Sequence, residues 1–211
     1  MTAIILTYYI QRRKYLPQII EALKKSKVPC SILIFNQGEI PLGPIEGVTV
    51  INSGKNFGCS VRHSMALCID DDYFLFQDDD LVISPDTIQD LWNHVTEDNV
   101  VGVDGCVLTD GYYTTAIPVR EETREVDIVT GRVHLCRKRA IIRAFDLRDR
   151  MGLKIWRDDD ILLSLANSGN IAVNTRVRNL DEEGIGLQHE PQHYPERNYT
   201  CKKIYEAIKN K

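Results

Sequence analysis

A run of apolar and aromatic residues at positions 73–76 leads through Gln77 directly into three aspartates, Asp78, Asp79 and Asp80. Short runs of this kind are typical of strands that are buried on both faces of a sheet. Carboxylates are costly to bury without partners, so three of them at the end of a buried strand require an explanation. In open parallel sheets, ligands bind beyond the carboxyl ends of the strands. The run therefore predicts a parallel sheet with a ligand site at this edge.

Strands alternate with helices through the first half of the chain, which favours an α/β fold with a mostly parallel central sheet flanked by helices. Hydrophobic patterning predicts strands at residues 3–8, 31–35, 48–51, 73–76, 100–103 and 126–135. It predicts helices at residues 12–25, after Gly58, from Ser84, and at residues 138–150, 156–166 and 198–210. Residues 109–125 and 174–198 show no clear period.

Length and composition limit the class of protein. The 211 residues fit one domain, either a whole protein or part of a longer chain. A net charge of -4 argues against a nucleic-acid-binding protein. No apolar run reaches the roughly 20 residues that span a bilayer, and the first residues lack the order of a secretory signal. Six scattered cysteines without a C-x-x-C pair predict free thiols and a cytoplasmic location.

The first aspartate cluster is a candidate metal site. Carboxylates two positions apart at a strand end, as in Asp78 and Asp80, can share a hard divalent ion such as Mn²⁺ or Mg²⁺. The alternative is a solvated acidic turn, which is what we expect of the aspartates at residues 70–72. The buried strand before the cluster and the apolar residues 81–83 after it favour the metal site.

A second cluster, Asp158, Asp159 and Asp160, opens a predicted helix just after Trp156. Acidic residues in a first helical turn are favoured by the helix dipole, so helix capping alone is one explanation. Three consecutive aspartates exceed what capping requires. One of them could instead act as a general base on a hydroxyl group.

Two further segments carry weaker signals. The glycine-containing loop at residues 52–58 precedes Arg62 and could approach a phosphate, although an ordinary loop would look the same. Neither a P-loop nor G-x-G-x-x-G is present, which argues against a dinucleotide cofactor. In the late segment, His189 could reach a metal, but a surface histidine is the simpler interpretation, since Pro191 disfavours a helix there. We expect His63, His94 and His134 to be structural or exposed.

The ordered set of motifs resembles the GT-A glycosyltransferases, in particular family 2. Asn56, Gly58 and Arg62 resemble the N-x-G…R segment of that family, and residues 76–81 resemble its D-x-D strand end. Residues 159–161 resemble its E/D-D motif, which exostosin-like members share. The resemblance extends from residue 4 to about residue 166.

The resemblance implies a GT-A fold, a UDP-sugar donor, Mn²⁺ (or Mg²⁺), and a hydroxyl of a glycan or glycoprotein as acceptor. Residues 1–82 would bind the nucleotide sugar and residues 83–211 the acceptor. The implied donor-binding residues are Thr7, Tyr8, Asn36, Gln37, Lys55, Arg62, Asp78 and Asp79. The implied metal ligands are Asp78, Asp80 and His189. The implied base is Asp160 or, failing that, Asp159, and the implied acceptor platform is Tyr112, Tyr113 and Trp156.

One departure from the family affects the nucleotide. The second strand ends in Asn36, Gln37 and Gly38, where many family 2 members carry Asp-Asp. The chain also looks similar to enzymes that decorate the capsid glycans of chlorella viruses, which would place a viral acceptor in the host cytoplasm. Two other functions stay open: a non-catalytic nucleotide- or glycan-binding module, and a nucleotidyltransferase. The latter would need a glycine-rich loop after the first strand, and residues 7–11 contain no glycine.

Overall fold

The computed structural model describes residues 1–154, 158–175, 177–181, 184–185 and 191–209. Its largest sheet begins with four parallel strands whose spatial order is β3-β2-β1-β4. These strands are β1 (Thr2–Thr7), β2 (Ser31–Asn36), β3 (Val48–Asn52) and β4 (Tyr73–Asp78). Their carboxyl ends lie at one edge, and β4 brings Asp78 to that edge.

The second half of the chain extends the same sheet beyond β4. The added strands, in spatial order, are β11 (Val133–Arg137), β6 (Val100–Gly102), β12 (Ile171–Ala172) and β9 (Arg124–Glu125). β11 runs antiparallel to β4 and to β6, and β12 runs parallel to β6. Apart from β11 and β9, the strands run in one direction, so the predicted α/β fold with a mostly parallel sheet is confirmed.

Two small sheets lie beside the main one. β7 (Asp104–Val107) pairs antiparallel with both β8 (Ile117–Arg120) and β10 (Ile128–Val129). β5 (Leu81–Val82) pairs antiparallel with β13 (Arg178–Asn179). The second pairing holds the chain near residue 180 against the segment that follows Asp80, whose carbonyl oxygen accepts a hydrogen bond from the Leu180 amide at 2.6 Å.

Helices flank the main sheet. They are α1 (Leu16–Lys24), α2 (Val61–Leu67), α3 (Pro85–His94), α4 (Lys138–Met151), α5 (Asp159–Leu165) and α6 (His193–Lys209), and a 3-10 helix (Ile10–Tyr15) precedes α1. The Ser84 side chain caps the N-terminus of α3, since it accepts a hydrogen bond from the Thr87 amide. Among the described residues, every helix is too short or too polar to cross a membrane.

Hydrophobic cores cover both faces of the sheet. Phe74 and Phe76 on β4 belong to one cluster, whereas Leu75 between them belongs to the other. Side chains alternate between the faces of a strand, so β4 is buried on both sides, as its apolar run predicts. The six cysteines are free thiols, as expected.

Three predicted elements differ from the structure. The predicted strand at residues 126–135 is two strands, because β10 pairs in the small sheet and β11 in the main sheet, and the chain changes sheet around Gly131. Helix α6 begins at His193 rather than at Asn198. The predicted helix at residues 12–25 is divided between the 3-10 helix and α1, with Pro17 in the first turn of α1, where a missing N–H costs little.

Candidate active site

A cavity of about 600 Å³ opens at the carboxyl ends of β1, β2 and β4. The first half of the chain contributes Leu6, Tyr8, Tyr9, Arg12, Gln37, Asn56, Gly58, Cys59, Arg62 and Asp78–Asp80 to its wall. The opposite wall comes from the small β7-β8-β10 sheet, the turn at Gly131, and the starts of α5 and α6. Both aspartate clusters that the sequence singles out therefore contribute to one cavity, through Asp78–Asp80 and through Asp159 and Asp160.

The first cluster presents its three carboxylates to different surroundings. The Asp78 side chain is 37% exposed, while those of Asp79 and Asp80 are 5% and 15% exposed. Burial and the neighbouring carboxylates raise the pKa of Asp78 to about 7, although Arg62 opposes the shift. Burial raises the pKa of Asp79 to about 6. Both raised pKa values favour the protonated forms of these carboxyl groups, and a cation bound beside them would stabilise the charged forms instead.

Arg12 is the cation that contacts two carboxylates of this cluster, those of Asp79 and Asp80. Its Nη1 lies 3.3 Å from Asp79 Oδ1, and its Nη2 lies 3.0 Å from both Asp80 Oδ2 and Asp181 Oδ2. It also donates a hydrogen bond to the carbonyl oxygen of Ile185. One guanidinium thus holds together the turn after β4 and the chain after β13.

Arg62, on α2, links the first cluster to the second. Its Nη1 lies 3.0 Å from Asp78 Oδ1 and donates to the Gly131 carbonyl oxygen at 3.0 Å, while its Nε donates to Asp159 Oδ2 at 2.7 Å. Although burial opposes the charge, the carboxylates of Asp159 and Asp78 raise the pKa of Arg62 above its usual value. Arg62 is therefore a buried, permanently charged bridge between the two walls of the cavity.

Asp159 also faces a pair of buried histidines. Its Oδ2 lies 3.6 Å from His63 Nδ1, and His63 Nε2 lies 3.2 Å from His134 Nε2. Burial lowers the pKa of His63 to about 4 and lowers that of His134 as well, so both rings are neutral near pH 7. The other oxygen of Asp159, Oδ1, is buried and has no partner among the described residues. Both histidines are structural, as expected, but they lie directly behind the cavity wall.

Asp160, in contrast, has partners on both oxygens. Arg197 Nη1 donates to its Oδ1 at 3.0 Å and Arg197 Nη2 donates to its Oδ2 at 2.9 Å. The amides of Ile161 and Gly131 donate to the same two oxygens. Burial alone would raise the pKa of Asp160, but Arg197 lowers it below its usual value. Asp160 is thus a buried anchor for α6.

Gly131 is the turn residue that lies between Arg62 and Asp160, since its carbonyl oxygen accepts from Arg62 and its amide donates to Asp160. A Cβ atom at this position would lie 2.8 Å from Arg62 Nη2 and 3.5 Å from Asp160 Oδ2. The position therefore needs a residue without a side chain if the guanidinium of Arg62 is to reach across the cavity.

The donor set around Asp78–Asp80 fits a divalent ion. Within the parts of the chain that the structure describes, no group of three or more His, Cys, Asp or Glu side chains is arranged to hold a metal. Mg²⁺ and Mn²⁺ do not need such a group, because one or two carboxylates with water and phosphate oxygens complete their shell. Asp78 and Asp80 supply the carboxylates, and a cation beside them would stabilise the charged form of Asp78, whose pKa burial raises to about 7.

The predicted donor-binding residues occupy different positions. Gln37 and the exposed Tyr8 line the cavity, and the Gln37 amide is fixed by the Gly58 carbonyl oxygen and the Phe57 amide. Asn36 lies outside the lining, where its side chain bonds to Asn52 and to the Ile40 carbonyl. Thr7 is buried and the exposed Lys55 lies beside Phe57, and neither residue lines the cavity.

Of the predicted acceptor residues, Tyr113 lines the cavity and Tyr112 does not. The Arg197 guanidinium lies 4.2 Å from the centre of the Tyr113 ring, so one face of that ring is covered and is closed to a sugar. The Tyr112 hydroxyl bonds instead to Lys202. Trp156 and His189 lie outside the described residues.

Sequence analysis missed the two arginines that complete the site. Arg12 has no motif around it, and nothing but its position just after β1 indicates a role. Arg197 shares a helical face with the buried Cys201 and Ile204, four and seven residues later, and this spacing is a signal that the pattern of α6 contained. Arg132, which lies 2.7 Å from Asp104 on the cavity wall opposite Asp78–Asp80, was also missed.

The fold is similar to those of solved glycosyltransferases. S. aureus TarS residues 1–349 in complex with UDP-GlcNAc align with a TM-score of 0.57 at 12% identity, covering 90% of this chain and 60% of that one. The mannosyltransferase PcManGT from Pyrobaculum calidifontis, in complex with GDP-Man and Mn²⁺, aligns with a TM-score of 0.57 at 12% identity, covering 99% and 64%. GalNAc-T7 with UDP, GalNAc and Mn²⁺ aligns with a TM-score of 0.56 at 11% identity, covering 90% of this chain and 45% of that one.

At these identities the similarity shows the fold alone, and it confirms the predicted GT-A fold. The chain spans less than two thirds of each of these three structures. A comparison with curated protein sequences finds no match. The family model described as glycosyl transferase family 2 matches residues 3–151, which include the D-x-D segment but not Asp159 or Arg197. Because this match covers more than half of the chain, the protein belongs to glycosyl transferase family 2.

Proposed function

We propose that this protein transfers a sugar from a UDP-sugar to a hydroxyl of a glycan or glycoprotein acceptor, with Mn²⁺ or Mg²⁺ as cofactor. Residues 1–82 bind the nucleotide sugar, and the acceptor is bound by the wall that residues 83–211 form. The observation that carries the proposal is the position of Arg62, which contacts Asp78 of the D-x-D segment and Asp159 of the second cluster. Donor-side and acceptor-side carboxylates are thereby held across one cavity.

On the donor side, Asp78 and Asp80 would hold the metal, which when bound neutralises charge on the departing diphosphate. Tyr8 and Gln37 lie in the wall at the ends of β1 and β2, where the nucleotide of a bound donor is expected. Arg62 is positively charged throughout the usual pH range and adds a cation on the phosphate side. These groups bind and orient the donor.

On the acceptor side, the contacts favour Asp159 over Asp160 as the general base. Both oxygens of Asp160 already accept hydrogen bonds from Arg197 and from backbone amides. Asp159 lines the same cavity and has an oxygen, Oδ1, without a partner among the described residues. A base must keep a lone pair available for the proton that it removes from the acceptor hydroxyl.

The identity of the nucleotide, the viral capsid glycan as acceptor and the cytoplasmic location stay predictions from the sequence. The structural neighbours include complexes with UDP-GlcNAc and with GDP-Man, so the donor panel must contain sugars of both nucleotides.

The test is a donor panel of UDP- and GDP-sugars, with release of nucleoside diphosphate and transfer to simple glycosides as the two measurements. We expect release with at least one donor in Mn²⁺, loss of release in EDTA, and loss in Asp80→Asn. Asp70→Asn is the matched control, since it removes an exposed aspartate from the other triple-aspartate run. Full release by Asp80→Asn, or full release in EDTA, would contradict the proposal.

A non-catalytic module is the second candidate, and the observation that favours it is the burial of both candidate bases, since Asp159 and Asp160 are only 2% and 5% exposed. Such a module would bind a nucleotide sugar in calorimetry and release no nucleoside diphosphate from any donor. For the nucleotidyltransferase alternative, the turn after β1 presents Tyr8 and Tyr9 to the cavity rather than a glycine-rich loop, which counts against it.

A further inference from the structure

Arg12 is a buried arginine in the cavity wall that contacts several carboxylates at once. Its side chain is 9% exposed and lines the cavity, and it lies within 3.3 Å of carboxylates at three positions, Asp79, Asp80 and Asp181. Arg62 takes the remaining carboxylate of the segment, Asp78. Each carboxylate around the D-x-D segment thus has an arginine contact, but the two guanidinium groups contact five carboxylates, because Arg62 also pairs with Asp159.

The contact with Asp80 has a consequence for the metal. Arg12 Nη2 lies 3.0 Å from Asp80 Oδ2, one of the two oxygens that Asp80 can offer to a divalent ion. A divalent ion on Asp80 would stand a few ångströms from a guanidinium that cannot lose its proton, and like charges at such distances repel. The ion and Arg12 therefore compete for this carboxylate.

Arg12 has other partners to keep when it releases Asp80. Asp181 Oδ2 and Asp79 Oδ1 lie within 3.3 Å, and the Ile185 carbonyl oxygen accepts a hydrogen bond from the same guanidinium. The side chain can therefore lose one carboxylate and remain paired in a buried position. This distinguishes it from Arg62, whose partners lie on both walls of the cavity.

We propose that Arg12 is a positioning residue that occupies Asp80 in the metal-free protein and yields it to the divalent ion, so that Arg12 weakens the binding of the ion on its own. The inference rests on the proposed function, because it assumes that Asp80 is a metal ligand. It predicts opposite effects for two substitutions around one guanidinium.

The experiment is calorimetric titration of the full chain with Mn²⁺ alone, without a nucleotide sugar. In Arg12→Met the competing charge is absent, and we expect Mn²⁺ to bind about tenfold more tightly. In Asp181→Asn the guanidinium loses a partner and pairs more firmly with Asp80, so Mn²⁺ should bind more weakly than to the unsubstituted protein. Arg13→Met is the matched control, because its guanidinium bonds to Asn36 and the Ile40 carbonyl instead of a carboxylate.

The double substitution Arg12→Met with Asp80→Asn completes a thermodynamic cycle. The gain from removing Arg12 should vanish when Asp80 can no longer bind the ion. Unchanged or weaker Mn²⁺ binding by a folded Arg12→Met protein overturns the inference. If Arg12→Met does not fold, tighter or equal binding by Asp181→Asn overturns it instead.

The cycle also separates this inference from the proposed function. If Asp80→Asn binds Mn²⁺ as tightly as the unsubstituted protein, Asp80 is not a metal ligand, and both proposals are contradicted. Binding that depends on Asp80 but not on Arg12 leaves the proposed function in place and removes the role of Arg12 alone.

Discussion

The guanidinium of Arg62 donates a 2.7 Å hydrogen bond to Asp159, although 97 positions separate the two residues in the chain. The contact is buried, since the side chains of Arg62 and Asp159 are 4% and 2% exposed. The same guanidinium reaches Asp78 at the end of β4. The site is therefore organised around one cation that joins α2, β4 and α5.

The first prediction concerns the stability of this bridge. Arg62→Met keeps most of the side-chain volume but leaves Asp159 buried without its cation, which typically costs about 3–5 kcal/mol. We expect a loss of that size in the free energy of unfolding, measured by urea denaturation. Arg148→Met is the control, because Arg148 pairs with the largely exposed Asp149, and exposed pairs contribute about 0–1 kcal/mol. Equal losses in the two variants would mean that the bridge adds no stability.

The bridge also shows what the sequence could predict. Asp78 and Asp80 stand out because a buried strand leads into them, and the β1–β4 sheet follows from apolar runs of matching length. These signals are local, since a strand and its end are set by neighbouring residues. They were sufficient for the fold class and for the edge at which the cavity opens.

The partners of the aspartates could not be predicted in the same way. Arg12 looks like a surface residue in sequence, because a guanidinium at a helix position is equally compatible with solvent and with a buried carboxylate. The spacing of Arg197 from Cys201 and Ile204 indicates a buried helix face but does not identify the carboxylate that Arg197 binds. The partners of both arginines lie far away in sequence: Arg12 and Asp181 are 169 positions apart, and Arg197 and Asp160 are 37 apart. Only the packing of the 3-10 helix and α6 against the cavity brings them together.

The second prediction separates the roles of the two adjacent aspartates. Asp159→Asn should reduce turnover by about 10²-fold or more while donor binding persists, because a general base is lost. Asp160→Asn should chiefly lower stability, by about 3–5 kcal/mol, because it leaves the buried Arg197 with only the longer contact to Asp158, at 3.4 Å. Asp159→Asn should lower stability as well, because the buried Arg62 keeps only one of its two carboxylates, Asp78. Initial rates and donor affinity of the folded variants therefore distinguish the two roles, and urea denaturation shows that each variant is folded. If Asp160→Asn were stable and inactive and Asp159→Asn active, the base would be Asp160.

The third prediction concerns Gly131. In Gly131→Ala the new methyl group would lie 2.8 Å from Arg62 Nη2, so the guanidinium must move away from the Gly131 carbonyl and from its carboxylates. We expect turnover to fall about tenfold or more, since small displacements of positioning groups weaken catalysis strongly. Gly43→Ala is the control, because no atom lies within 4 Å of the added methyl group there. Wild-type turnover in Gly131→Ala would show that the close approach is not required.

The last prediction is a dependence of stability on pH that comes from His63. Burial lowers the pKa of this imidazole from its ordinary value of 6.5 to about 4 in the folded protein. Between those two pH values the unfolded chain binds a proton that the folded protein does not, so folding loses stability as the pH falls through this window. This contribution to the free energy of unfolding is fully present above pH 6.5. Because a shift of one pKa unit corresponds to about 1.36 kcal/mol, about 3 kcal/mol of it is lost by pH 4.

His63→Gln removes the titrating group and keeps an amide that can still bond to His134. Urea denaturation of the unsubstituted protein and of His63→Gln at pH 7 and at pH 4 measures the effect. Because Asp78 and Asp79 titrate in both proteins, their contributions cancel in the comparison, and His63→Gln should lose about 3 kcal/mol less on acidification. His94→Gln, on α3 away from the cavity, serves as the control for a histidine substitution. Identical losses in His63→Gln and the unsubstituted protein would mean that His63 takes up its proton as readily in the folded state as in the unfolded chain.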